Sequence, residues 1–236
     1  MQLQGLCIIL TGAAGNLGGA VATELARRGA RLVCVDRSAK GLAALATRLP
    51  PETEMLALDG LDLSTTAGAV AMAKSALERF GAIDGLVNTV GGFAAAPIDL
   101  NSVANFDAMV GLNARTVLTT SAAALPAMID RKRGRIVHIA AMAGNAGTAG
   151  LSAYSASKAA VMRIVESLAA EHRADGITAN CVLPSTIDTP QNRAAMPHAD
   201  FTTWVTPAAI ARVITFLVSD DAAAVTGANL PVTGRA

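Results

Sequence analysis

The sequence of 236 residues is 52% hydrophobic and 16% charged, and its formal net charge is +1. So large an apolar share excludes an intrinsically disordered chain, and the near balance of charges argues against nucleic acid as the main partner. Since no linker, low-complexity tract or internal repeat interrupts the chain, we expect residues 1–236 to form one domain.

Short apolar runs alternate along the chain with longer, alanine-rich helical runs. Strands are predicted at residues 6–10, 31–35, 54–58, 84–88, 135–140, 177–183 and 228–234. Helices are predicted at residues 17–29, 39–49, 65–80, 103–130, 154–174 and 207–218. The strand runs are continuously apolar rather than alternating, which is typical of parallel strands covered on both faces. The alternation predicts an α/β fold, a single doubly wound domain of the Rossmann type with helices on both faces of the sheet.

The cysteines and the apolar runs indicate a cytoplasmic protein. Cys7, Cys34 and Cys181 each lie in or beside a β-like run and lack metal-ligand spacing, so we expect buried free thiols, a reducing compartment and no bound metal. The first strand begins so close to the amino terminus that no signal peptide is expected. No apolar run reaches roughly 18 residues without a polar interruption, so no membrane span is expected.

A glycine-rich loop, TGAAGNLG at 11–18, joins the first strand to the first helix. Gly12, Gly15 and Gly18 allow a sharp turn and a close approach of the backbone to a pyrophosphate. The first amides of the helix, at Asn16 and Leu17, then offer free donors and the positive end of the helix dipole. The loop therefore predicts a dinucleotide cofactor.

The end of the second strand bears on which dinucleotide binds. Asp36 follows Gly18 at the distance at which a carboxylate accepts both ribose hydroxyls of an adenosine and repels a 2′-phosphate. Arg37 follows directly and could instead bind that phosphate. We favour NAD(H), because no basic residue lies within the glycine loop, and NADP(H) stays the alternative.

The only tyrosine of the chain, Tyr154, precedes Lys158, one of four lysines, by four residues. The two therefore share one face of a predicted helix. A phenol ordinarily titrates near pH 10, and a nearby ammonium together with a cationic nicotinamide favours the phenolate. The pair thus indicates a general acid or base that works near neutral pH, whereas a core tyrosine beside a solvated lysine is the alternative interpretation.

Residues 184–206 form the longest segment without a predicted element, and Pro184, Pro190 and Pro197 stiffen it. Because ligands bind outside the carboxyl ends of such strands, we expect this segment to be a substrate lid. Phe201 and Trp204 either line the substrate pocket or anchor the lid to the core.

His138 lies inside the strand predicted at 135–140 and is expected to be a packed histidine rather than a catalytic base.

Taken together, these stretches resemble a known family. The matching stretches are TGAAGNLG, LVNTVGG, LNA with Asn113, GRIV, YSASK, LPSTIDTP and VTGANLPVTG. In their order and spacing, the chain resembles the short-chain dehydrogenase/reductase family over essentially its whole length. The resemblance implies a seven-stranded parallel sheet in the order 3-2-1-4-5-6-7, a small-molecule substrate and a nicotinamide cofactor.

The resemblance also implies roles for single residues. Tyr154 would donate a proton to a substrate carbonyl, and Lys158 would lower the pKa of Tyr154 and hold the nicotinamide ribose. Asn113 would help to keep a water that relays protons. Further implied cofactor contacts are Asp62 and Leu63 at the adenine, Asn88 and Gly91 at its ribose, and Pro184, Ile187 and Thr189 on the nicotinamide side.

The sequence departs from the family pattern in three places. Asn16 replaces the middle glycine of the cofactor loop, and we expect asparagine to preserve the turn because it tolerates positive φ. NTVG at 88–91 replaces the usual N-N-A-G. Ala141 stands where the family has a serine that hydrogen-bonds the substrate carbonyl, and losing one such donor costs on the order of 100-fold in rate.

The missing serine bears on the choice of substrate. The stretch 182–204 resembles dihydropteridine reductases, which also lack the serine and reduce an electron-poor quinonoid dihydropterin with NADH. Two alternatives stay open: a general ketone or 3-oxoacyl reductase that works without the serine, and a cofactor-binding protein with little turnover. Thr148 or Ser152 could also replace the lost hydroxyl. Because the alanine-rich helices at 103–130 and 154–174 pair across a two-fold axis in this family, we expect a homodimer or homotetramer.

Overall fold

The computed structural model describes residues 2–235, which form a seven-stranded parallel sheet flanked by helices. The strands are β1 Cys7–Thr11, β2 Arg31–Asp36, β3 Met55–Asp59, β4 Gly85–Asn88, β5 Gly134–Ile139, β6 Ile177–Pro184 and β7 Asn229–Val232. Neighbouring strands pair in parallel in the order β3-β2-β1-β4-β5-β6-β7. The predicted fold class and strand order are therefore confirmed.

Eight α-helices accompany the strands over residues 2–235. They are α1 Asn16–Arg27, α2 Ala39–Ala46, α3 Thr66–Phe80, α4 Ser102–Met109, α5 Thr116–Asp130, α6 Ser152–Glu171, α7 Pro190–Ala195 and α8 Pro207–Leu217. Ser38, Thr65 and Thr206 cap α2, α3 and α8, since each side-chain oxygen accepts from the amide three residues on. None of the helices in this described part of the chain is long and apolar enough to span a membrane.

The strands bury both of their faces, which explains their continuous apolar runs. Ile9, on one face, belongs to a core completed by α3, α5 and α6. Ile8, on the other face, belongs to a core completed by α1, α2 and α8. The three cysteines are buried and free, as predicted, and burial raises the pKa of each thiol to about 12.

The chain is helical throughout 102–130, close to the helix predicted at 103–130, but this stretch is not one regular α-helix. A π-helical turn, Val110–Arg115, separates α4 from α5 and contains Asn113. The buried Asn113 carboxamide bonds to the backbone of Gly92 and to Ser157 on α6. Single π turns are typical of functional sites, because the inserted residue can point a side chain that a regular helix would place elsewhere.

The segment 184–206 is more regular than the sequence indicates. It contains α7 and a 3₁₀ turn, Phe201–Thr203, and Ile187 forms an isolated parallel bridge with Val205. The start of α7 carries a recognisable signature, since Thr189 caps it and Pro190 is its first residue. Whether the segment acts as a lid stays a prediction.

The strand order places the candidate site. The chain leaves β1 toward β2 on one side, and β4 returns on the other side of β1. In such sheets a crevice opens at the carboxyl ends of the strands where the order reverses. The glycine loop after β1 and the loop after β4 both lie at this point.

Candidate active site

A cleft of about 690 Å³ lies at the carboxyl ends of β1 to β4. Its lining includes seven of the residues predicted to hold the cofactor, namely Gly12, Gly15, Asp36, Arg37, Asp62, Leu63 and Gly91. The loop after β4, helix α4 and the π-helical turn complete the wall. The other predicted cofactor residues, Asn16, Leu17, Gly18, Asn88, Pro184, Ile187, Thr189, Tyr154 and Lys158, lie outside this lining.

The glycine loop turns back on itself before α1 begins. The amide of Gly15 donates to the carbonyl of Gly12 at 3.1 Å, and Gly12 has a φ of +69°. Gly18 must lack a side chain, because a Cβ there would lie 2.1 Å from the Gly12 carbonyl oxygen. The sequence therefore uses glycine where the backbone closes on itself.

Asn16 does not adopt the positive φ that we expected of it. It is the first residue of α1 and is helical, so the turn needs no left-handed residue at this position. Its side-chain nitrogen Nδ2 donates to Oε1 of Gln191 on α7 at 2.7 Å. The departure from the family pattern thus joins the cofactor loop to the segment 184–206.

Asp36 is held in place by two backbone amides. Its Oδ2 accepts from Ala14 and its Oδ1 from Ser38, both at 3.0 Å. Arg37 is largely exposed, and its guanidinium lies 4.0 Å from the carboxylate of Asp62. Hydrogen bonds from Ser64, with a smaller contribution from Arg37, hold the pKa of Asp62 below its ordinary value.

Behind the lining of the cleft, Thr11 and Asn88 are buried polar residues at the ends of the central strands β1 and β4. Asn88 is buried, and its Oδ1 accepts from the hydroxyl of Thr11 and from the amide of Val90. The Nδ2 of Asn88 is buried and has no hydrogen-bond partner among residues 2–235. The backbone of Leu63, which lines the cleft, is fixed by a hydrogen bond in which its carbonyl accepts from Thr119 Oγ1 at 2.5 Å.

Tyr154 and Lys158 lie one turn apart on α6, as the spacing predicts. Lys158 is buried, and its Nζ donates to the carbonyl of Ile139 at the end of β5 at 2.8 Å. The same Nζ lies 5.9 Å from the centre of the Tyr154 ring. A Cβ added at Gly91 would lie 3.3 Å from this Nζ, so the ammonium adjoins the wall of the cleft.

The pKa of Tyr154 is shifted in the direction opposite to our expectation. Burial raises the pKa of the phenol above its ordinary value. Burial also lowers the pKa of Lys158 to about 8, with the Cys181 thiol acting weakly against it. In the chain on its own, desolvation therefore outweighs the attraction that the lysine offers to a phenolate.

Asn113 links the loop after β4 to the helix that carries Tyr154. Its Oδ1 accepts from the amide of Gly92 at 2.9 Å, and its Nδ2 donates to the Gly92 carbonyl at 3.2 Å and to Ser157 Oγ at 2.9 Å. Ser157 Oγ in turn donates to the carbonyl of Tyr154 at 2.8 Å. The carboxamide thus fixes α6 against the loop that borders the cleft.

The predicted nicotinamide-side residues lie at the end of β6 and the start of α7. Pro184 ends β6, the carbonyl of Ile187 accepts from Asn192 Nδ2 at 2.8 Å, and Thr189 caps α7. Trp204 is buried against a ring of Phe201 at a centroid distance of 4.8 Å. This favours the anchoring interpretation for Trp204.

His138 lies in β5, and Ala141 lies just beyond the carboxyl end of that strand. His138 is fully buried, with Nε2 2.9 Å from Ser121 Oγ, and burial together with the charge of Lys158 lowers its pKa to about 3. It is therefore a packed, neutral histidine. Ala141 is buried at the start of a short 3₁₀ turn after β5, whereas Thr148 and Ser152 are exposed.

The sequence reasoning missed Phe93. Its ring packs edge-on against Tyr154, with centroids 4.9 Å apart and planes at 73°, and the side chain is 65% exposed. The signal available in the sequence was an aromatic residue two positions beyond Gly91 in a chain that is only 3% aromatic.

The residues present fit a dinucleotide. Helix α1 has no side-chain cap, so its first amides are free to bind a phosphate. Asp36 presents an oriented carboxylate at the cleft, and Asn88, behind the lining, has a buried donor without a partner in the described part of the chain. These three features suit the pyrophosphate and ribose of a nicotinamide dinucleotide.

Comparison with known proteins identifies the family. Residues 6–200 match the family model described as short chain dehydrogenase. The chain is 31% identical to D-threitol dehydrogenase of Mycolicibacterium smegmatis over 99% of its length and 93% of that protein. It is 30% identical to meso-2,3-butanediol dehydrogenase of Serratia marcescens, with 100% and 96% covered. The crystal structure of levodione reductase superposes with a TM-score of 0.92 at 30% identity, covering 99% of this chain and 98% of that one.

The chain therefore belongs to the short-chain dehydrogenase/reductase family. Its fold and its relatives support an oxidoreductase that transfers hydride with a nicotinamide cofactor and acts on a small molecule. This assignment does not extend to the roles of single residues, the identity of the substrate or the choice between NAD and NADP.

Proposed function

We propose that the protein is an NADH-dependent reductase of a quinonoid or carbonyl substrate, with Tyr154 as the proton donor. The observation that carries the proposal is the cluster of Tyr154, Lys158 and Asn113 beside Gly91, at the wall of the dinucleotide cleft. A bound nicotinamide supplies the hydride, and the remaining chemistry falls to side chains of this chain.

The cofactor would be held mainly by backbone and by one carboxylate. The free amides at the start of α1, from Asn16 to Gly18, would bind the pyrophosphate. Asp36 would accept from the ribose hydroxyls, and its fixed position beside the cleft favours NAD over NADP. Arg37 also lines the cleft, and the carboxylate of Asp62, 4.0 Å from its guanidinium, offsets part of the charge that it would offer to a 2′-phosphate. The other proposed contacts are Gly12, Gly15, Leu63, Asn88, Pro184, Ile187 and Thr189.

Tyr154 would give its proton to the substrate as hydride arrives. The raised pKa keeps the phenol protonated at neutral pH, which is the form that a donor in a reduction needs. When the proton leaves, a phenolate develops, and the ammonium of Lys158 stabilises it. The bond from Lys158 to the Ile139 carbonyl holds that charge in place. Asn113 would position α6 and help to keep the water that resupplies the proton.

Two features support a flat, conjugated substrate. Ala141 offers no hydroxyl to polarise a carbonyl, and an electron-poor quinonoid ring needs less polarisation. The exposed ring of Phe93 beside Tyr154 provides an apolar surface for a planar ligand. The resemblance of residues 182–204 to dihydropteridine reductases agrees with these features and makes a quinonoid dihydropterin the first substrate to test.

A specific observation favours each of the two alternatives. The names of the relatives, a threitol dehydrogenase, a butanediol dehydrogenase and levodione reductase, favour a general ketone or 3-oxoacyl type of reductase. The alanine at position 141 favours a cofactor-binding protein with little turnover. We also propose a homodimer or homotetramer, because Phe106 on α4 and Leu118 on α5 are exposed apolar side chains that a partner subunit could cover. A cytoplasmic location stays a prediction.

The test is a screen of quinonoid and carbonyl compounds with NADH and NADPH, followed by the loss of nicotinamide absorbance. We expect the fastest turnover for a quinonoid dihydropterin with NADH. Faster turnover of simple ketones would support the first alternative. Tight NADH binding with negligible turnover of every compound would support the second and contradict the proposal.

A further inference from the structure

A second concavity lies at the opposite end of the sheet from the dinucleotide cleft. Its volume is about 520 Å³, and it is formed where β5 and β6 begin. Arg135 on β5 pairs in register with Thr178 on β6, and both residues line it. None of the residues assigned to the cofactor or to catalysis takes part.

The lining carries a strong excess of positive charge. Four cationic side chains, Lys132, Arg133, Arg135 and Arg173, share the concavity with a single carboxylate, Asp220. One carboxylate oxygen of Asp220, Oδ1, forms ion pairs with Nη2 of Arg133 at 3.0 Å and with Nη2 of Arg135 at 3.3 Å. Within residues 2–235, neither Lys132 nor Arg173 has a carboxylate at ion-pair distance.

Arg135 is fixed before any ligand arrives. Its side chain is buried, and Nη1 donates to the carbonyls of Gly134 at 3.0 Å and Gly176 at 3.1 Å. Its Nε and the hydroxyl of Thr178 are buried without a hydrogen-bond partner in the described part of the chain. Two polar side chains, each more than nine-tenths buried, are thus short of acceptors or donors at this concavity.

Two turns carry the remaining cations of the lining, Lys132 and Arg173. Lys132 has a φ of +50°, the only positive φ of a non-glycine residue between residues 2 and 235. A Cβ at Gly176 would lie 2.4 Å from the Lys132 carbonyl oxygen, so glycine lets the turn after α5 pack on the turn before β6. The close packing brings Lys132 and Arg173 to the same concavity.

We propose that this concavity is a second binding site and that it takes a phosphate-bearing small molecule. Guanidinium groups bind the paired oxygens of phosphate, and three unbalanced positive charges favour a multiply charged ligand. A concave wall with a fixed arginine suits a small molecule better than the flat face of an acidic protein. The proposal does not depend on the proposed enzymatic function.

The test is a two-dimensional amide NMR titration of the full chain with pyrophosphate and inorganic phosphate, against sodium chloride at equal ionic strength. We expect saturable shifts at Lys132, Gly176 and Thr178 with the phosphates only. Arg173→Gln and Lys132→Gln should each raise the Kd at least about fivefold. Both side chains are exposed, so these variants should fold, and their spectra report this directly.

The matched control is Lys74→Gln, which removes a lysine paired with Glu78 on α3 and should leave the Kd unchanged. Four results would overturn the proposal. They are shifts that chloride reproduces, shifts confined to the amides of 15–18 in the cofactor loop, an unchanged Kd in Arg173→Gln, and saturation by a glutamate-rich peptide but not by pyrophosphate.

Discussion

The ring of Phe93 stands edge-on to the ring of Tyr154, with centroids 4.9 Å apart. This contact joins the loop after β4 to helix α6, and it leaves most of Phe93 exposed beside the proposed proton donor. Such an aromatic pair contributes about 0.5–1.5 kcal/mol beyond the area it buries, so we expect Phe93 to help to position Tyr154. The exposed face of its ring is the surface that we propose for a planar substrate.

Replacing Phe93 should therefore weaken substrate binding without affecting the cofactor. We expect Phe93→Ala to raise KM for a quinonoid substrate at least about fivefold, whereas Phe93→Trp should preserve it. Steady-state kinetics and a fluorescence titration with NADH measure the two effects. An unchanged KM in Phe93→Ala, or an equal loss of NADH affinity, would show that Phe93 does not contact the substrate.

The fold could be predicted from the sequence because its signals are local. Continuous apolar strands, alanine-rich helices and TGAAGNLG each occupy a short stretch, and their alternation predicts a parallel, doubly wound sheet. The strand order within that sheet is predicted by the family resemblance. The π-helical turn could not be predicted, because VGLNAR reads as ordinary helix. Its extra residue depends on the bonds of Asn113 to Gly92 and Ser157, which are distant in sequence. The same holds for the raised pKa of Tyr154, since burial depends on the tertiary packing.

Asp36 should decide the cofactor preference. Because its carboxylate is fixed at the cleft and repels a 2′-phosphate, we expect NADH to bind at least about tenfold tighter than NADPH. Asp36→Ser should bring the two affinities to within about threefold of each other, whereas the remote Glu78→Gln should change neither. Titrations at fixed ionic strength measure this. At least tenfold tighter NADPH in the parent chain would contradict the preference.

Ala141 should distinguish the two kinds of substrate. Ala141→Ser restores a hydroxyl donor, and we expect kcat/KM for simple ketones to rise at least about tenfold but that for a quinonoid substrate to change less than threefold. Ala146→Ser, in the exposed loop that follows, is the matched control. If kcat/KM rose equally for simple ketones and for the quinonoid substrate, the absence of a hydroxyl at position 141 would not indicate a quinonoid substrate.

His138 should make the protein sensitive to acid. Burial lowers its pKa to about 3, below the ordinary value of 6.5. At a pH between these two values, the histidine is therefore protonated in the unfolded chain and neutral in the folded chain. Stability is therefore fully present above pH 6.5 and falls as the pH falls toward 3. Between pH 7 and 4.5 this residue should cost about 2–3 kcal/mol of unfolding free energy.

His138→Asn should lose that part of the pH dependence while keeping a polar partner for Ser121. Urea unfolding of both chains at the two pH values measures the difference. If the two chains lost the same free energy between pH 7 and 4.5, His138 would not be the buried neutral group described above.

The most direct test of the account is turnover in Tyr154→Phe, measured beside NADH affinity in the same preparation. The substitution removes only the hydroxyl and leaves a ring that can still pack against Phe93. If Tyr154 is the proton donor, turnover falls at least about tenfold while the Kd for NADH stays within about twofold. Turnover within about threefold of the parent value would contradict the central claim.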